Sequence, residues 1–114
     1  MSISNVRGLG ALAVAMMWLG TAAAASYTVD QHNKTFEKDG SKLDKITVNV
    51  GDTISFRNMD PWFHNVFSLS DLKTFDLGSY PKGQSKKVIF DKAGTVEVEC
   101  AIHPQMYLEV VVEQ

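Results

Sequence analysis

The sequence predicts an all-β, single-domain Greek-key β-sandwich that is preceded by a signal peptide. Short apolar runs alternate with polar residues at a period of two, which is the pattern of half-buried strands. Gly, Asp and Pro residues separate these runs, and no long stretch has helical periodicity. Residues 8–25 differ from the rest of the chain because they contain no charged side chain.

The N-terminal segment has the layout of a secretory signal peptide. Arg7 precedes an apolar run over residues 9–19, and small residues follow up to Ala25. We expect cleavage before Ser26, with cleavage one residue earlier nearly as good, and an uncleaved anchor is the alternative. The predicted division is therefore a signal peptide over 1–25 and one domain over 26–114, located in the periplasm without stable membrane insertion.

The first half of the predicted domain contains two pairs of strands. Residues 27–31 and 35–38 are short strand candidates. Residues 46–50 and 53–57 alternate more clearly, with Gly51 and Asp52 between them. This arrangement is typical of a hairpin.

The second half contributes the strands nearest to the candidate chemistry. Residues 64–69, 88–90, 96–100 and 108–112 alternate, which brings the total to about seven or eight strands. Within 96–100 the parity places Cys100 on the same inward face as Val96 and Val98. The stretch between these strands, residues 68–85, contains several turn residues and is expected to cross one edge of the sandwich.

Composition excludes several classes of protein. The formal net charge is −2 at pH 7 and the charges are scattered, so nucleic-acid binding is not expected. A single cysteine cannot form an internal disulfide. No nucleophile–base arrangement is visible, so the chain is predicted not to be an enzyme. We expect a monomer.

One short loop combines three metal-binding side chains. Cys100, His103 and Met106 follow one another between two predicted strands and offer a thiolate, an imidazole and a thioether. His64, at the start of another strand, supplies a second imidazole. Two His, one Cys and a distant axial Met form the blue-copper ligand set. Asn65 follows His64 and is placed to tie the two loops together by hydrogen bonding.

Two alternatives concern the identity of the metal and of the axial ligand. Zinc also accepts Cys and His ligands, although a thioether is not its usual fourth ligand. Gln105 competes with Met106 for the axial position, and Met59 is a third candidate without a spacing argument. The residues favour one copper ion, which cycles between Cu(I) and Cu(II), with Met106 as the axial group.

This pattern resembles the cupredoxins, the family of plastocyanin, pseudoazurin, azurin and amicyanin. The short Cys-x2-His-Pro-x-Met loop is most similar to that of amicyanin, and His64-Asn65 matches the first-ligand motif. Ile102 and Glu99 depart from the proline and the aromatic residue common at these positions, which leaves the subfamily and the partner open.

The resemblance implies an exported one-electron carrier with a type 1 copper ion. It implies redox proteins as partners, by analogy a quinoprotein dehydrogenase and a c-type cytochrome. It also implies that His103 is the ligand nearest to solvent, bordered by Trp62, Phe63 and Met59. A periplasmic copper delivery or storage protein is the alternative function, although such proteins favour open sites that are rich in Met or His.

Overall fold

A computed structural model describes residues 23–114. Most of the predicted signal peptide therefore lies outside the described residues. Within them the structure has ten strands and no helix, and accordingly no helix that could cross a membrane. The strands are β1 Ser26–His32, β2 Thr35–Lys38, β3 Ser41–Lys42, β4 Lys45–Asn49, β5 Asp52–Asn58, β6 His64–Ser68, β7 Phe75–Tyr80, β8 Ser85–Phe90, β9 Gly94–Glu99 and β10 Tyr107–Glu113.

The strands form two five-stranded sheets. The first has the order β3-β2-β1-β5-β8 and the second the order β4-β10-β9-β6-β7. Two pairs, β1 with β5 and β4 with β10, are parallel, and the remaining pairs are antiparallel. The all-β two-sheet prediction is confirmed.

Alternating side chains from both sheets form the core. The inward residues of β5 and β10 are almost fully buried, as the alternation predicts. Val96, Val98 and Cys100 share the inward face that the strand parity assigns to them. The core side chains include Val29, Phe36, Ile54, Phe56, Val66, Phe90, Leu108 and Val110.

The predicted hairpin between β4 and β5 is wrong. These strands belong to different sheets: β4 pairs with β10, whereas β5 lies between β1 and β8. The turn residues were identified correctly, since Gly51 has a φ of 96° and Asp52 accepts a hydrogen bond from the backbone N–H of Asn49. A tight turn alone does not specify which sheet the next strand joins.

The segment between β6 and β8 contains more regular structure than its turn residues suggest. Instead of only crossing an edge, residues 75–80 form the edge strand β7, which pairs with β6. The pairing is interrupted by a register shift between Asn65 and Phe67, and Gly78 has a φ of 74°. This irregularity obscures the alternation in the sequence. Strand β7 and the two-residue strand β3 account for the difference between the ten observed strands and the seven or eight predicted ones.

The pairing of β9 with β10 predicts a measurable pH effect. The Tyr107 hydroxyl donates a hydrogen bond of 2.9 Å to the Glu97 carboxylate, and this bond, with burial and nearby Glu charges, raises the pKa of Tyr107 to about 12. Because the neutral phenol is favoured, this contribution to stability is complete below about pH 10 and is lost as the pH rises through about 12.

In Glu97→Gln we therefore expect the Tyr107 titration to move down towards an ordinary tyrosine pKa. Near-ultraviolet absorbance titration of the phenolate measures this shift. Glu37→Gln, on the other sheet, serves as the matched control and should leave the titration unchanged. An unchanged titration in Glu97→Gln would contradict the observed register.

Candidate metal centre

Three neighbouring strands of the second sheet place candidate ligands at the same end of the sheet. His64 begins β6, Cys100 directly follows β9, and Met106 directly precedes β10. Tyr107 lies opposite Glu99 in the β10–β9 pair, and Phe67 lies opposite Glu99 in the β6–β9 pair. Antiparallel pairing therefore brings the end of β9 beside the start of β10, and the residues that follow β9 run towards the start of β6.

Three of the predicted ligands form one cluster. A nitrogen of His64, a nitrogen of His103 and the Cys100 sulfur all lie within 4.8 Å of one another. His64 Nδ1 is 3.2 Å from His103 Nδ1 and 3.7 Å from Cys100 Sγ. The two imidazoles thus present their Nδ1 atoms to each other, and His64 also presents its Nδ1 atom to the thiol.

These distances match the size of a single metal ion. Nitrogens about 2.0 Å and a thiolate sulfur about 2.3 Å from a tetrahedral ion lie about 3.3 Å (N to N) and about 3.5 Å (N to S) from one another. The separations between His64 and its two neighbours are close to both values. A soft sulfur with two imidazoles suits copper in both oxidation states. The donor set and its spacing therefore fit a copper ion.

The ligand candidates differ in their exposure to solvent. His64 and Met106 are fully buried and Cys100 is 1% exposed, whereas His103 is only partly buried. Gln105 lies on the exposed turn before β10. Because Met106 is the residue of this pair that lies inside the protein, burial favours the thioether over the Gln105 amide as the axial group.

Asp60 is a residue of this site that the sequence does not single out. It is 2% exposed, and its Oδ2 lies 2.6 Å from His64 Nε2. The imidazole therefore donates its Nε2–H to Asp60, which leaves the Nδ1 lone pair facing Cys100 and His103. Fixing this tautomer prepares His64 to bind a metal through Nδ1.

Backbone groups hold the Asp60 carboxylate in its ionised form. The N–H groups of Asn33 and Lys34 donate to it at 2.7 and 3.1 Å. Burial opposes ionisation, but the hydrogen bonds from His64 and from these two N–H groups outweigh it and hold the pKa of Asp60 below its usual range. The Asn58 side chain also accepts a hydrogen bond from the Asp60 N–H, which fixes the start of this loop.

A second set of hydrogen bonds ties the His64 strand to the Cys100 loop. The Asn65 side-chain oxygen accepts a hydrogen bond from the Ala101 N–H at 2.8 Å, which confirms the predicted link between the two loops. The Gln31 amide reaches the Asn65 carbonyl at 3.4 Å, and Tyr80 donates its hydroxyl proton to Gln31 at 2.7 Å. This buried chain of bonds connects the site to both sheets.

The electrostatic surroundings favour a neutral His103. Burial, the neighbouring His64 and the charge of Lys34 lower the pKa of His103, against the opposing effect of Asp60. Metal binding requires an unprotonated imidazole nitrogen. Because its pKa is lowered, His103 loses more easily the proton that would otherwise block metal binding.

Exposed apolar side chains lie on the two segments that carry the candidate ligands. Trp62 and Phe63 are 38% and 55% exposed, and Met59 and Ile102 are also partly exposed. The Trp62 ring lies 6.2 Å from the His103 ring, and the Lys34 ammonium lies 5.2 Å above the Trp62 ring. Both aromatic residues are therefore on the surface rather than in the core, and Trp62 lies beside His103.

We predict that Asp60→Asn destabilises the metal-free protein by about 1–3 kcal/mol, because His64 and the N–H groups of Asn33 and Lys34 lose their charged acceptor. Urea unfolding measures this loss. Nitrogen NMR of the imidazoles should show the Nε2–H tautomer of His64 in the unsubstituted protein and a mixture in the variant. Asp44→Asn, at an exposed carboxylate, is the control. Equal stability and an unchanged tautomer in Asp60→Asn would contradict the positioning role of Asp60.

The comparisons with known proteins agree with this geometry. The methylamine utilization protein MauL of Methylorubrum extorquens is 33% identical over 89 residues, which cover 77% of this chain and 74% of MauL. Structures of amicyanin variants, among them a Cu(I) form, match with a TM-score of 0.68 at 28% identity, over 83% of this chain and 88% of theirs.

A third similarity concerns the fold alone. The copper-containing nitrite reductase of Thermus scotoductus matches with a TM-score of 0.68, but it is 21% identical and is covered over only 24% of its length. No family model matches the chain.

Proposed function

Since the chain belongs to the cupredoxin family, we propose that it is an exported one-electron carrier with one type 1 copper ion, held by His64, Cys100, His103 and Met106. The observation that carries this proposal is the single cluster of two imidazoles and a thiolate. The relationship to MauL and the likeness to amicyanin support it. Copper would supply one-electron chemistry by alternating between Cu(I) and Cu(II).

The residues around the ligands suit fast, reversible electron transfer. Asp60 and the Asn65–Ala101 hydrogen bond hold His64 and the Cys100 loop in place. Ligands fixed before the change of charge need little rearrangement afterwards, which keeps the barrier low. Buried ligands also argue against a copper delivery protein, which needs an open and exchangeable site.

The partly exposed ligand His103 would face the redox partner. The exposed apolar side chains on the same segments can be covered by a partner at little cost in lost hydration. Transient redox complexes use small interfaces of this kind. We propose that the chain is not an enzyme but exchanges electrons with other proteins. As the resemblance to amicyanin implies, these would be a quinoprotein dehydrogenase and a c-type cytochrome in the periplasm.

The proposal extends to the processing of the chain. Residues 1–25, or one residue fewer, would be removed during export, and the mature domain would remain a soluble monomer. Separating cells into periplasmic and cytoplasmic fractions tests the location directly.

Titration of the mature protein with copper(II) tests the function. We expect one equivalent to produce an intense blue thiolate-to-copper absorption, which Cys100→Ser abolishes because serine offers no thiolate. His64→Ala and His103→Ala should also lose it. His32→Ala is the matched control, because His32 pairs with Glu37 outside the cluster. A colourless complex, or blue colour retained without Cys100, would contradict the proposal.

Substitution of Met106 tests the axial ligand. Met106→Gln should keep the blue absorption but lower the reduction potential, because an amide oxygen favours Cu(II) more than a thioether does. Voltammetry of the copper protein measures the shift. Met59→Gln, at a partly exposed methionine, should leave the potential nearly unchanged. A larger shift from Met59→Gln than from Met106→Gln would contradict the axial role of Met106.

A further inference from the structure

Asp52 is a buried carboxylate at the start of β5, outside the cluster of candidate metal ligands. Its exposure is 2%, and it accepts hydrogen bonds from the backbone N–H of Ala25 at 2.7 Å and of Asn49 at 2.8 Å. Within residues 23–114 it forms no ion pair with a Lys, Arg or His side chain. Buried carboxylates are usually paired with a cation, because burial without a countercharge is costly.

The Ala25 nitrogen lies where such a cation could form. If the bond before Ala25 were cleaved, this nitrogen would become an α-ammonium 2.7 Å from Asp52 Oδ1. A hydrogen bond between two charged groups is roughly twice as strong as one between neutral groups. Cleavage at this bond would therefore supply the countercharge that Asp52 lacks.

Ala25 is also held on its other side. Its carbonyl accepts a hydrogen bond from the Thr53 N–H at 3.0 Å, which extends the parallel β1–β5 pair by one residue. A chain that began at Ser26 would leave both Asp52 Oδ1 and the Thr53 N–H without these partners. The fold thus uses Ala25 as the first residue of the β1–β5 pairing.

The sequence alone does not distinguish the two cleavage sites. Ala23 and Ala25 satisfy the small-residue rule for cleavage before Ser26, and Ala22 and Ala24 satisfy it equally for cleavage one residue earlier. Residues 23 and 24 form no strand and line a cavity of about 320 Å³ next to Asp52. Their removal would open this cavity, so that water could reach the remaining N–H groups of the ammonium.

We infer that a signal peptidase cleaves between Ala24 and Ala25, and that the new α-ammonium of Ala25 forms an ion pair with Asp52. Water is added across the amide bond, which leaves a carboxylate on Ala24 and an amine on Ala25. This inference rests on the export proposed above and corrects the preferred start at Ser26 to Ala25.

Intact-mass measurement of the periplasmic protein, expressed from the full chain, tests the cleavage site. We expect the mass of residues 25–114. A mass lower by one alanine residue, or an uncleaved chain, overturns the inference. Copper titration of the same sample separates the two proposals, because a blue protein with another N-terminus overturns only the processing site.

Urea unfolding of two chains, released from a fusion so that they begin at Ala25 or at Ser26, tests the ion pair. We expect the Ser26 chain to have an unfolding constant about 10-fold larger, as two hydrogen bonds are lost. Acetylation of the Ala25 amine keeps the N–H but removes the charge, and it should raise the unfolding constant about fivefold. Equal stabilities overturn the inference.

A double-mutant cycle isolates the interaction with Asp52. Acetylation should have a much smaller effect in Asp52→Asn than in Asp71→Asn, in which an exposed carboxylate is replaced. The same effect of acetylation in both backgrounds overturns the ion pair. If Asp52→Asn does not fold, the comparison of the Ala25, acetylated Ala25 and Ser26 chains still decides the question.

Discussion

The antiparallel pairing of β9 with both β10 and β6 is the constraint on which the candidate metal centre depends. It places the end of β9 beside the start of β10 and directs the residues after β9 towards the start of β6, so His64 and Cys100, 36 positions apart, meet at one end of the sheet. Three short segments bring the ligands together, and no long flexible loop is needed. Cys100 and Met106 directly flank β9 and β10, so the short loop that carries His103 is anchored at both ends on paired strands.

Buried polar groups fix the orientation of the ligands that the strand pairing brings together. Asp60 orients His64 through Nε2, and Asn65 fixes the backbone directly after Cys100. Among residues 23–114, no buried side-chain nitrogen or oxygen lacks a hydrogen-bond partner. A fully satisfied network of this kind holds the ligands in one arrangement. Asp52 accepts hydrogen bonds from two neutral N–H groups in the full chain, and cleavage before Ala25 would give a positive charge to one of them, that of Ala25.

Much of this arrangement could be predicted from local patterns. Strand alternation correctly placed Cys100 inside, and the spacing of Cys100, His103 and Met106 indicated the chemistry because soft donors so close together are rarely accidental. The cluster of His64, Cys100 and His103 is present as expected. That Met106 completes the set stays a prediction.

What could not be predicted depends on contacts between distant segments. The turn at Gly51 identifies a change of direction but not the exchange between sheets, and the irregular pairing of β7 hides its alternation. Asp60 looks like an ordinary loop residue until the backbone N–H groups of Asn33 and Lys34 are seen to hold it. Long-range hydrogen bonds of this kind leave no periodic signal in the sequence.

A crystal structure of the copper-loaded mature protein, with anomalous diffraction to locate the metal, tests the central claim most directly. We predict one copper ion bound to Cys100 Sγ and to the Nδ1 atoms of His64 and His103, with Asp60 still hydrogen-bonded to His64 Nε2. Copper bound elsewhere on the chain, or a coordination sphere without Cys100, would contradict the account.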